Sequence, residues 1–131
     1  MAGNNLEKTL PRVIHGQKRG AGGEHMIPEE EIVVVFSTAP PDKSGSLAKM
    51  LIDQRIAACV NVVPVRSYYN WHGEFCDEQE HLLIAKTTRQ KAGEVVAAIK
   101  SQHPYEVPEI IALPVTHGYP PYLDWVRQET H

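Results

Sequence analysis

Residues 58–87 read ACVNVVPVRSYYNWHGEFCDEQEHLLIAKT, and this stretch decides the fold. Val60, Val62, Val63, Val65, Tyr68 and Tyr69 make residues 58–71 an extended segment rich in β-branched and aromatic side chains. His72-Gly73 is a tight reversal, and residues 74–87 return. The second half of the return, Leu82-Leu-Ile-Ala85, is core-like, whereas Asp77-Glu-Gln-Glu80 reads as solvated. Pro64 predicts a bulge or an edge position, because proline has no N–H to give to a ladder. Fourteen residues of strand, 58–71, span roughly 46 Å at about 3.3 Å each. A domain of about 100 residues has a radius of gyration of only about 13 Å. A hairpin of that length overhangs its own domain. The overhang carries Tyr68, Tyr69, Trp71 and Phe75, and exposed strand edges of this kind seek partners. Neighbouring subunits are therefore expected to pair with it in a closed homo-oligomer. The other arrangement open to the same residues breaks the strands at Pro64 and around Asp77 and shortens the arms.

The elements on either side follow from their periodicity. Ile32-Val-Val-Val-Phe36 is a continuous apolar run, as in a strand buried on both faces. Ser37-Thr-Ala-Pro-Pro41 ends it, and Asp42 or Ser44 is placed to cap a helix that runs to about Arg55 with Leu47, Met50 and Leu51 on one face. Thr87 with Gln90 three residues on fits a capping box for a second helix. That helix carries Ala92, Val95, Val96 and Ile99 at i, i+3, i+4 and i+7. Pro104 should end it near Gln102 or His103. The segment His103-Pro-Tyr-Glu-Val-Pro-Glu109 is then a rigid polar corner, equally suited to a pocket wall or a stiff turn. It delivers the chain into Ile110-Ile-Ala-Leu-Pro-Val115, which reads as a buried strand. Pro120 or Pro121 suits the first turn of a last short helix with Tyr122, Trp125 and Val126 on one face. Strand, helix, strand, strand, helix, strand, helix is the order of an α+β ferredoxin-like βαββαβ sandwich, helices on one face, with an added C-terminal helix.

Size and composition set the outer limits. The chain has 131 residues, enough for one domain with a substantial core. Residues 1–30 hold five of the nine glycines, balance four basic against four acidic residues and show no hydrophobic periodicity. They read as a flexible N-terminal tail ahead of a folded domain at 31–131. A net charge of −3 with mixed signs offers no basic surface to nucleic acid or an anionic membrane. No apolar run is long enough to span a bilayer. The first residues lack a signal-peptide core, so a cytoplasmic location is expected. Two cysteines, Cys59 and Cys76, form no C-x-x-C pair and build no disulfide framework or zinc knuckle. Nucleophile elbows, phosphate loops and H-E-x-x-H motifs are absent, so no enzyme activity is expected.

Several uncommon motifs, in order, resemble one family. Arg55-Ile-Ala-Ala-Cys-Val-Asn61, Tyr69-Asn-Trp-His-Gly-Glu74, Ile84-Ala-Lys-Thr87, His103-Pro-Tyr-Glu-Val-Pro-Glu109, Ala112-Leu-Pro-Val115 and Tyr122-Leu-Asp-Trp125 are similar to the CutA family of divalent-cation tolerance proteins. The resemblance runs from about Val33 to Glu129. It implies a tight trimer in which strands of adjacent subunits join into larger sheets, and a role in tolerance of, or response to, divalent metals, copper above all. It implies no catalysed reaction. Some family members associate copper with a cysteine at the end of the first strand and a histidine pair before the Pro-Tyr. This chain departs from that pattern, with Ser37 for the cysteine and Gln102 for the first histidine. The candidate metal ligands are then His103, Glu106 and Glu109 at the corner, with Ser37 near them. Copper or another divalent cation is the expected ligand, and none is needed to build the fold. An alternative, by analogy of fold with nitrogen-regulatory signal proteins, is a trimeric signalling or scaffold protein that binds a small anionic ligand or a protein partner at inter-subunit clefts.

Overall fold

The computed structural model describes residues 31–131 and, before them, the backbone of two short strands, β1 (Val13–Lys18) and β2 (Glu24–Met26). These two pair antiparallel, with a register shift between Val13 and Lys18. The sequence reading gives no regular element before Glu31, so this ladder is an addition to it. The division of the chain at residue 30 lies outside the described residues.

From there the elements come in the expected order: β3 (Ile32–Ala39), α1 (Pro41–Asp53), β4 (Cys59–Trp71), β5 (Glu74–Thr88), α2 (Arg89–Gln102), β6 (Ile110–Pro114) and α3 (Pro120–Glu129). The four-stranded sheet is ordered β4-β5-β3-β6, and every neighbouring pair is antiparallel. This is the ferredoxin-like arrangement.

Pleating sorts the side chains of the sheet between two faces. On one face Val33 and Val35 of β3 and Ala85 of β5 meet Leu51 of α1 and Ala92, Val95, Val96 and Ile99 of α2 in one buried cluster. Ala39, Leu47 and Leu83 form a second, adjoining cluster. On the opposite face Val34 and Phe36 are only half-buried, and on the edge strand β6 Ile111 and Leu113 are each 48% exposed. The expectation that β3 is buried on both faces is thus corrected, and β6, read as a buried strand, is buried on one side only: α1 and α2 cover one face of the sheet. The last helix, α3, contacts β3 and β5 and brings Tyr122 to Cys59. Cys59 pairs with Lys86, on the face away from the core, so α3 caps part of that second face.

The hairpin is unbroken. Its register runs without a slip from Cys59 opposite Lys86 to Trp71 opposite Glu74. Pro64 is accommodated by the edge position of β4 and not by a bulge. The reversal has φ +52° at His72 and +81° at Gly73. Two central residues with positive φ make the two-residue turn whose twist matches that of the strands. Only His81–Thr88 of β5 pair with β3. The seven residues 74–80 therefore project about 23 Å beyond the end of β3, paired with β4 alone.

Two helix starts differ from the sequence reading. For α1 the N-cap is Pro40, with Pro41 at the first helical position and no side-chain cap; Asp42 lies in the first turn, and the Ser44 hydroxyl donates to the Pro41 carbonyl instead. For α2 the N-cap is Thr88, not Thr87, and its hydroxyl accepts from the Lys91 N–H. Thr87 is buried on the core face, where it donates to the Ile56 carbonyl at 2.5 Å.

Candidate functional site

The corner after α2 is built by its prolines. His103 takes the extended conformation (φ −83°, ψ 136°) that a residue before proline prefers, and α2 stops at Gln102. The His103 ring then turns inward and is 9% exposed. Its Nε2 lies 2.7 Å from the Thr38 carbonyl oxygen, which can only accept, so Nε2 carries the proton. Its Nδ1 accepts the Tyr105 backbone N–H at 3.2 Å. Both ring nitrogens are therefore committed, one to β3 and one to the corner itself. His103 fastens residues 105–109 to the end of β3 in a fixed pose.

That pose walls a cleft of about 590 Å³. Its floor is the overhanging arm, with Ser67, Tyr69 and, next to the reversal, Trp71 from β4 and Glu78 and Glu80 from β5. Its wall is Tyr105, Glu106, Val107 and Glu109, with Thr38 at the junction. The Thr38 hydroxyl donates to Glu109 at 3.4 Å. Two tyrosine–glutamate pairs cross the floor: the Tyr105 hydroxyl donates to Glu80 at 2.8 Å, and the Tyr69 hydroxyl to Glu78 at 2.6 Å. Burial, with the Glu80 carboxylate beside it, pushes ionisation of the Tyr105 phenol well above the usual tyrosine range; for Tyr69 the bond to Glu78 comes first and burial second. Among the described residues, four glutamates line the cleft, and no lysine, arginine or histidine does. Its field therefore favours cations.

The four residues read from the sequence as metal ligands are not gathered in one place. Glu106 and Glu109 are exposed and line the cleft. His103 stands behind the wall with both nitrogens engaged. Ser37 is fully buried on the core face of β3, opposite Leu83, and its hydroxyl has no hydrogen-bond partner among the described residues. Among the described residues no three histidine, cysteine, aspartate or glutamate side chains converge on one point that could hold a metal ion. A compact His103–Ser37–Glu106–Glu109 chelate is not what this chain builds by itself.

Glu78 and Glu80 are the residues the sequence reading missed. The run Asp77-Glu-Gln-Glu80 looks solvated, yet Glu80 is only 4% exposed. Its burial comes from Tyr105, which is 25 positions away and arrives only once the topology is set. The available signal was the shared parity of Glu78 and Glu80 along one strand. A second pair, the Ser44 hydroxyl 2.7 Å from His81 Nδ1, satisfies two part-buried polar groups; neither residue lines the cleft.

Comparison with known proteins agrees with this architecture. Residues 32–129 match the family of the CutA1 divalent ion tolerance protein. The divalent-cation tolerance protein CutA of Thermus thermophilus is 45% identical over 103 residues, covering 77% of this chain and 98% of that protein. Human protein CutA is 36% identical over 132 residues, covering 92% of this chain and 74% of that protein. Among solved structures, the Thermus thermophilus Cut A1 protein gives a TM-score of 0.73 at 44% identity, over 76% of this chain and 99% of that one. The PII-like protein CutA from Nostoc, in apo form, gives 0.73 at 36% identity, over 76% and 97%. A match spanning nearly all of residues 31–131, on the same fold, places the chain in the CutA1 divalent ion tolerance protein family.

Proposed function

We propose that this protein is a homotrimer that collects divalent cations, copper among them, in its acidic clefts as part of a cell's response to metal ions. The observation that carries the reading is the cleft with four glutamates and, among the described residues, no basic side chain. The ions are held through oxygen donors and hydration shells, because the one imidazole at the corner is spent on fastening it. Binding is accordingly weak. Carboxylate sites still rank Cu2+ above Zn2+ among the later first-row ions. The alternative of an anionic ligand loses ground on the same observation, since an anion in this cleft would face carboxylates with no counter-charge. The protein acts by binding, without a catalysed reaction, and the cytoplasmic location expected from the sequence belongs to the same proposal.

Isothermal titration of the purified protein with Cu2+ and Zn2+ tests it. Uptake with Cu2+ tighter than Zn2+, weakened several-fold in the double variant Glu106→Gln/Glu109→Gln, is expected. No uptake at micromolar metal, or uptake indifferent to both glutamates, overturns the assignment of the cleft.

A further inference from the structure

We draw no further inference here: the strongest candidate, the Cys59–Lys86 pair at the root of the hairpin, with the Lys86 ammonium 3.8 Å from the Cys59 sulfur, is a single cysteine bonded to its neighbours on the sheet face away from the core, and nothing in the structure points to a ligand there or shows what covers it.

Discussion

Ser37 shows how one buried atom can be read against a family pattern. It stands where some relatives are expected to carry a copper-binding cysteine, yet its side chain points into the core, opposite Leu83 and beside the Val33–Val35 row. Its hydroxyl is fully buried and unpaired among the described residues. An unsatisfied buried hydroxyl costs about 1–3 kcal/mol. Ser37→Ala should therefore stabilise the protein by about 1 kcal/mol, seen as a higher urea midpoint at unchanged slope and fixed protein concentration. A lower midpoint would mean that the hydroxyl has a partner that matters. His103 makes the complementary case. The sequence marks it correctly as a corner residue just ahead of Pro104, but no sequence rule reveals that both its nitrogens are bonded, because the Thr38 carbonyl lies 65 positions away. Identity and approximate location were legible at this scale; hydrogen-bond commitments were not.

At the scale of elements, order and type followed from periodicity, while boundaries slipped where two adjacent residues had equal claims. Thr87 and Thr88 are chemically identical candidates for the cap of α2. The pleat decides between them: Thr87 shares the core-facing side of β5 with Ala85 and is fully buried, which leaves Thr88 to turn out of the strand and accept from the Lys91 N–H. Thr88→Ala should cost about 1 kcal/mol, and Thr88→Ser should restore most of it. Chemical denaturation of the two variants checks the assignment. A Thr88→Ala protein as stable as the parent would return the cap to Thr87. The hairpin was the most legible element, since its length, turn and edge position all follow from residues 58–87. What it carries was less so. The cleft needs Glu78 and Glu80 from the arm, Thr38 from β3 and residues 105–109 from the corner, and only the fold puts those three segments together.

For the whole molecule, the decisive fact is how much of the sheet one copy leaves uncovered. Helices α1 and α2 occupy one face, and α3 touches only part of the other. Ile111 and Leu113 stay half-exposed there, and along the arm Tyr68 and Phe75 are 62% and 70% exposed. Among the described residues, no further strand pairs with the outer edges of β4 and β6. A face and two edges of this kind are costly to leave in water and prone to unspecific pairing. An arm that reaches about 23 Å past β3 can lie along a neighbour's edge, and such a contact joins unlike surfaces. Unlike surfaces repeat head to tail, so they close into a ring or run on as a filament, and a finite assembly requires the ring. Three copies is the expected closure. Light scattering at micromolar concentration should give three times the chain mass. Because dissociation and unfolding are then linked, the melting temperature should rise with protein concentration. A second arm of the experiment isolates the hairpin: charged substitution at its exposed rings, Tyr68→Lys with Phe75→Glu, should lower both the mass and the concentration dependence. A monomeric parent with a concentration-independent melt would show that one copy tolerates its bare sheet, and the clefts would then have to work without neighbours.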